Sequence, residues 1–341
     1  MKFTCYSSWR QLSDSANTLF EQAENDSLFF SRHWFECLSN SGHDGDLKLL
    51  LACVAADDDV LAMLPLLKGD ANTAYALKHR YTPVYSFLLA DADQQSVLAC
   101  LAQGLCDLPL NGLVLDPVAE NDQKMIALQR AMESVGFACE YSFRHYNWIY
   151  QVHGQSFAEY MASRPAKLRN TIARKQRKLA REHDVDIQLF RGDDVPQAMT
   201  DYYTVYRSSW KANEQYTDFV DDLVARFSRA GLVRLGILYI DGQPSAAQLW
   251  FVQHDKAYIF RLAYDEAWKT YSPGSILTHF LMQHVIDIDK VQEIDFLTGN
   301  EAYKQDWMST RRECVALSCV KKQNPSGWFQ RLVTGLKRLY I

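Results

Sequence analysis

The sequence has no cysteine pair at the two-residue spacing of zinc or redox motifs, and no apolar run near the roughly 20 residues of a membrane span. It has no excess of positive charge either. Its eight cysteines are scattered, the closest being Cys100/Cys106 and Cys314/Cys319. They are expected as reduced core or half-buried thiols, with no metal site. Met1-Lys2-Phe3-Thr4-Cys5-Tyr6 has no long apolar core after its single Lys, so no signal peptide is expected and a cytoplasmic protein is. The formal net charge of -5 argues against dedicated nucleic-acid binding by the whole chain, though not against a local basic patch. No Ser/His/Asp or Cys/His nucleophile constellation stands out, which favours direct attack in a ternary complex over a covalent enzyme intermediate.

What is present is a mixed α/β pattern, centred on residues 231–308. Residues 232–240 and 245–253 read as strands joined by Asp241-Gly242-Gln243-Pro244, and Asp-Gly between apolar runs is a strong hairpin signal. A third strand over 256–262 leads to Tyr271-Ser272-Pro273-Gly274-Ser275-Ile276-Leu277, a Pro-Gly turn opening a helix over 275–288. A further strand over 291–297 completes a βαβ unit, whose helix N-terminus presents amides suited to a phosphate.

The first half reads similarly. Helices are expected over 14–40, a strand pair over 47–55 and 60–68 across Asp57-Asp58-Asp59, strands at 83–90 and 111–115, helices at 94–105 and 122–135, and a strand at 137–143. The order hairpin, strand, helix, strand thus recurs, which suggests duplication from element order alone. The expected domains are 1–153, 154–322 and a helical tail over 323–341. Early in the second half, after the join near Gly154, comes a run rich in cations, Lys167, Arg169, Arg174, Lys175, Arg177, Lys178 and Arg181, with an apolar stripe of Leu168, Ile172 and Leu179. That spacing predicts a docked helix whose charged side is either a solvated face or a rim that attracts an anionic substrate.

Arg261-Leu262-Ala263-Tyr264-Asp265, the 271–277 turn, and Asp295-Phe296-Leu297-Thr298-Gly299-Asn300-Glu301-Ala302-Tyr303-Lys304 with Trp307 resemble the acyltransferase domain of cellulose-biosynthesis CelD/BcsL-like proteins. Those belong to the GNAT superfamily, near the FemAB-type peptidyl transferases, and the similarity covers roughly residues 155–320. The resemblance implies two tandem GNAT-like halves. It also implies two central strands that splay to admit acyl-coenzyme A, its pyrophosphate held by amides of Ser272, Gly274, Ser275, Ile276 and Leu277. The usual phosphate loop, Gln/Arg-x-x-Gly-x-Gly/Ala, is not fully matched; aligned on its last glycine, Lys269 takes the first position.

Acyl transfer to an amine needs a neutral amine, an oxyanion stabiliser and a proton for the leaving thiolate. Tyr303 is the candidate acid, the alternative being a tyrosine packed on Trp307 one turn later. Asp295, in an otherwise apolar strand, is either a base or amine anchor or the ion-pair partner of Lys304 or Arg261. Glu301 is the second carboxylate. Arg261, Tyr264, Asp265 and Lys304 are candidate acceptor contacts, while His279 and His284, on the helix after Gly274, read as structural. The acceptor is expected to be a small molecule or saccharide, such as an envelope-polysaccharide precursor. The alternatives are an aminoacyl-tRNA-dependent transferase, its basic helix facing RNA, and a non-catalytic binding protein. In the tail, Trp328, Phe329, Leu332, Val333, Leu336 and Tyr340 share one helical face beside basic residues. That face either packs on the acyltransferase core or a second subunit, or lies on the inner membrane.

Overall fold

A computed structural model describes residues 1–41, 47–69, 72–91, 93–211 and 216–322. The expected tail helix, with Trp328 and Leu332, lies outside the described residues. The chain divides into two compact units, Met1–His145 with Arg312–Ile341, and Tyr146–Arg311, each a mixed sheet with flanking helices.

The first unit runs β1 (Lys2–Tyr6), α1 (Ala16–Asp26), α2 (Arg32–Ser41), β2 (Lys48–Ala56), β3 (Asp59–Lys68), β4 (Thr73–Ala76), β5 (Leu88–Leu89), α3 (Gln94–Asp107), β6 (Gly112–Ala119), α4 (Gln123–Ser134) and the start of β7 (Phe137–Gln151). In the second are α5 (Phe157–Ser163), α6 (Ala166–Glu182), β8 (Val185–Phe190), α7 (Val195–Arg207), α8 (Thr217–Arg229), β9 (Val233–Ile240), β10 (Gln243–Gln253), β11 (Lys256–Tyr264), α9 (Pro273–Asp287), β12 (Glu293–Thr298) and α10 (Ala302–Trp307). Last comes β13 (Thr310–Lys321).

The two units repeat one topology. In each, four successive strands pair antiparallel, β1-β2-β3-β4 and β8-β9-β10-β11. A crossover helix then returns the chain to a strand parallel with the fourth, β6 on β4 and β12 on β11. The recurrence expected from element order therefore extends to the whole pairing pattern, with one correction. The strand that follows the hairpin in the first copy is β4, not residues 83–90, of which only Leu88–Leu89 are strand. Four residues of modest β-propensity, Thr-Ala-Tyr-Ala, gave no periodic signal to find it by.

The sixth strand along each unit's sheet comes from the other half of the chain. Cys314 to Val320 of β13 pair with β6, and residues 147–151 of β7 pair with β12. The units consequently divide inside β7 and β13, whereas the expected join at Gly154 falls just after β7 ends. Exchange of terminal strands leaves no mark on local composition, because pairing between segments far apart in sequence has no local pattern.

Local rules account for the other elements. Asp241 (φ 51°) and Gly242 (φ 77°) form the two-residue turn between β9 and β10, and both need the left-handed region that Asp and Gly tolerate. Gln243 and Pro244, expected in that turn, already belong to β10. Helix α5, absent from the sequence-based expectations, starts with a capping box in which Ser156 and Glu159 satisfy each other's amides. Helix α6 buries Leu168, Ile172 and Leu179 as expected, in a core shared with Trp250, Ile276, Leu277 and Leu281.

In the first unit the strand ends beyond the β4–β6 pairing close on an ion triad. Asp116, with no exposed surface, accepts from Lys78 Nζ at 2.8 Å and Arg144 Nε at 3.1 Å. Burial pushes the Lys78 ammonium below its usual range and Asp116 opposes that shift. Removing the shared carboxylate strands two cations in a dry site. Asp116→Ala is expected to lose about 3–5 kcal/mol of stability, measurable as a lowered urea midpoint at unchanged m-value; a loss within experimental error would show that water reaches the triad.

Candidate active site

The parallel pair β11–β12 holds together for only three residue pairs, Lys256, Ala257 and Tyr258 opposite Glu293, Ile294 and Asp295. Beyond them β11 continues to Tyr264 and β12 to Thr298, so the strands part at the ends where the βαβ crossover places its helix N-terminus. An unpaired strand must satisfy its backbone elsewhere, and two of the expected site residues do this. Asp295, 6% exposed, accepts from the Leu297 amide at 2.7 Å, holding Leu297 in the left-handed region at φ 55°. Lys304, 4% exposed, donates to the carbonyls of Phe296 (3.1 Å) and Thr298 (2.6 Å) and pairs with Glu301 at 3.3 Å. Burial lowers the Lys304 pKa, against the fields of Glu301 and Asp295.

The loop that follows is equally constrained. Gly299 has φ 131°, its amide donates to Tyr146 O at 2.8 Å, and a Cβ there would collide with the Glu301 carboxylate. Trp148 Nε1 donates to Asn300 Oδ1 at 3.1 Å. Tyr303 then stands 44% exposed on α10. Its ring meets Phe296 edge-on at 5.6 Å, while the expected packing partner, Trp307, is buried and accepts at its carbonyl from the Tyr160 hydroxyl. Burial, then Glu301, raises the Tyr303 phenol above its ordinary range, so at neutral pH it keeps its proton and can donate it.

At the turn into α9, Ser272 is left-handed (φ 56°, ψ 50°) and Pro273 occupies the first helical turn, where its missing N–H costs nothing. Of the five expected amides, that of Ser272 donates to Lys269 O, and those of Ser275 and Ile276 to Ser272 O. Leu277 lies deep enough for its amide to join the helix ladder. Gly274 is the one whose amide has no backbone acceptor among the described bonds. A Cβ on Gly274 would lie 3.2 Å from the Tyr264 ring, so glycine lets α9 approach β11 closely. Gln248, a polar residue in the apolar run of β10 and overlooked in the sequence, fixes this entry. Its Nε2 donates to Gly274 O (2.9 Å) and Thr278 Oγ1 (2.8 Å), and its Oε1 accepts from Trp250 Nε1.

The basic helix docks on the same turn. Lys175 donates to Thr270 O, and Lys178 lies 4.5 Å over the Tyr271 ring. The Tyr271 hydroxyl donates to Glu182 Oε2 at 2.9 Å. His183 joins the turn to the β9–β10 hairpin, donating from Nδ1 to Asp241 Oδ2 at 2.7 Å, with Nε2 3.2 Å from the Tyr271 hydroxyl. Lys167, Arg169, Arg174, Arg177 and Arg181 remain exposed.

Asp265 is spent locally, its Oδ1 capping the Ala267 amide at 2.9 Å. Arg261 donates to the Tyr206 hydroxyl at 3.0 Å, and the Tyr264 ring meets that of Trp210 at 4.6 Å with a 43° tilt. Tyr206, Trp210 and the adjoining Lys211 were not legible as site residues, because they close an ordinary amphipathic helix. His279 packs edge-on against Phe157, and His284 faces Asp289; burial lowers both pKa values. Among the described residues no group of three or more His, Cys, Asp or Glu could hold a metal ion, and no helix is long and apolar enough to cross a membrane.

Residues 166–305 match the family described as Acetyltransferase (GNAT) domain. Among solved structures, FemX is 10% identical, with 96% of this chain and 99% of that one covered at a TM-score of 0.67. A tandem GNAT protein from the clavulanic acid biosynthesis pathway is 12% identical, with 95% and 99% covered at 0.55. L-PGS from Bacillus licheniformis is 10% identical, with 90% and 96% covered at 0.55. At these identities the likeness is one of fold. No curated protein matches by sequence. Residues 166–305 are thus similar in sequence to GNAT acetyltransferase domains, within a fold like that of a tandem GNAT protein.

Proposed function

We propose that the protein is an acyltransferase that moves an acyl group, acetyl in the simplest case, from acyl-coenzyme A to an amine or hydroxyl of an acceptor by direct attack. The observation that carries this reading is the parting of β11 and β12 after three residue pairs, beside a helix entry that leaves the Gly274 amide open. The donor set fits a pyrophosphate: an open amide at the positive end of a 15-residue helix, with Lys175 and Lys178 of α6 docked on the same turn. Acyl-coenzyme A would supply the activated thioester; the chain supplies position and protons.

In this reading Tyr303 donates a proton to the departing thiolate. Glu301, with more than half its side chain exposed, orients the acceptor amine or takes its proton. Asp295 acts through the backbone it holds, as a positioning residue. The resemblance to CelD/BcsL-like proteins makes a cytoplasmic, envelope-polysaccharide precursor the acceptor class we favour. A second reading rests on the exposed cations of α6, which would suit RNA in an aminoacyl-tRNA-dependent transfer. Binding whose affinity falls steeply with salt, for charged tRNA and not for acetyl-coenzyme A, would select it.

Two outcomes test the first reading. Tyr303→Phe keeps the ring on Phe296 and removes only the hydroxyl, so kcat is expected to fall about 10²–10⁴-fold with thermal stability retained. Unchanged turnover would make Tyr303 a packing residue. For the donor, calorimetry with acetyl-coenzyme A is expected to show a single site per chain, since the strand ends of the first unit are closed by the Asp116 triad. Gly274→Ala should weaken that site about tenfold or more, roughly 1.4 kcal/mol, because its Cβ pushes the helix entry off Tyr264. Equal affinity in a folded Gly274→Ala protein would place the donor elsewhere.

A further inference from the structure

Two of the eight cysteines, all of them free thiols, face each other across a pair of strands in the first unit. β13 and β7 are neighbours in the sheet, and two bonds fix their direction: the Lys322 amide donates to Gly136 O at 3.0 Å and the Ser309 amide to Ile149 O at 3.2 Å. Residue numbers rise along one strand as they fall along the other, so the pair is antiparallel. Three residues in from the bond between Lys322 and Gly136, each strand carries a cysteine, Cys139 on β7 and Cys319 on β13. An odd step from a hydrogen-bonded pair reaches a non-hydrogen-bonded one, whose Cα atoms lie about 4.5 Å apart with side chains on the same face. That spacing falls inside the roughly 4.4–6.8 Å that a disulfide spans.

The thiols are in contact. A hydrogen bond with Cys139, then burial and the charges of Cys139 and Glu133, hold the Cys319 thiol well above its ordinary pKa. Cys319 has no exposed surface, whereas Cys139 is partly exposed. Tyr141, the next residue on that face of β7, is pushed up to about 12 by burial and by the fields of Cys319, Asp122, Cys139 and Glu133. Other cysteines that lie close in the fold are placed differently. Cys5 is opposite Ala52 and Cys53 opposite Thr4, so their side chains leave opposite faces of the sheet.

We propose that Cys139 and Cys319 form a reversible redox-modification site, in which a partly exposed attacking thiol and a buried resolving thiol are converted by oxidation to a cross-strand disulfide. With hydrogen peroxide as the oxidant, the Cys139 sulfur attacks one peroxide oxygen, the O–O bond breaks, and the products are a Cys139 sulfenic acid and water. Cys319 then attacks the Cys139 sulfur. The S–S bond forms, the sulfenic S–O bond breaks, and the hydroxyl leaves with the Cys319 proton as a second water. Two thiols and one peroxide thus give one disulfide and two waters, and a dithiol reductant reverses the change by exchange. Because Cys319 keeps its proton, its attack is slow, and the sulfenic acid on Cys139 persists long enough to be trapped. Both ends of the loop closed by this bond are strands of the first unit, and a constraint on so long a loop acts chiefly on the unfolded chain. The inference does not depend on the acyltransferase reading.

The test treats the intact, fully reduced chain with hydrogen peroxide, quenches it with excess N-ethylmaleimide in denaturant, and reads the non-reduced proteolytic peptides by mass. A linked pair holding Cys139 and Cys319 is expected, lighter by about 2 Da than its two reduced peptides. The remaining cysteines should be alkylated, and all eight should be after dithiothreitol. Dimedone should label Cys139 early in the reaction, and label it lastingly in Cys319→Ser. Should that buried change prevent folding, Cys139→Ser, at the partly exposed position, still has to abolish the linked pair, while Cys5→Ser has to leave it. The oxidised natural protein is expected to melt about 2–4 °C or more above the reduced form, a difference that Cys139→Ser lacks. Eight alkylated thiols after oxidation, oxygen acids on Cys139 with Cys319 still free, a disulfide between any other cysteines or between two chains in place of this pair, or an oxidised form that melts below the reduced one would each overturn the proposal.

Discussion

Two parallel strands that part leave peptide groups without partners, and the second unit is built to satisfy that demand. The Leu297 amide finds the Asp295 carboxylate, and the Phe296 and Thr298 carbonyls find the Lys304 ammonium. A buried carboxylate and a buried ammonium each carry a desolvation cost that neither would bear alone. Placed on successive elements, they offset one another while holding open a gap that a regular ladder would close. The motif in which they lie is therefore first a device for ending a sheet, and its catalytic reading depends on that device.

The same reasoning explains which parts of the chain were legible. Hairpins, the crossover helix and the docked basic helix were readable because each rests on a local signal: Asp-Gly at the turn, Pro-Gly at the helix entry, and Leu168, Ile172 and Leu179 at helical spacing. Strand β4 and the exchange of β7 and β13 were not, since pairing partners far apart in sequence leave no local pattern. At the site, Asp295 stood out because charge in an apolar strand demands a reason, and Lys304 because it lies in the stretch that carries the family resemblance and could pair with Asp295. Gln248 did not. A glutamine in a strand usually points outward; only the fold shows this one buried under α9.

Helix α6 illustrates how a charged face serves structure and chemistry together. Its apolar stripe sets its position in the core, but Lys175, Lys178 and Glu182 hold the 269–272 turn directly. With Tyr271 tied to Glu182 and His183 tied to Asp241, the turn is fixed from the helix on one side and from the β9–β10 hairpin on the other. That support allows a non-glycine residue, Ser272, to sit in the left-handed region at the entry to α9, a conformation that costs of order 1–3 kcal/mol and persists only where the surroundings over-determine it.

Duplication gives the chain two copies of one problem and two different answers. In the first unit the cations near the parted strands are neutralised by Asp116, which no solvent reaches, and the result is a closed, purely structural triad. In the second unit the corresponding strand ends carry Arg261, which donates to the Tyr206 hydroxyl, and Lys304, which donates to the Phe296 and Thr298 carbonyls beside the half-exposed Glu301. There the buried cation is spent on the backbone of the parted strand rather than on a buried acid, so the strand ends of one half are locked by an ion triad while those of the other are held apart.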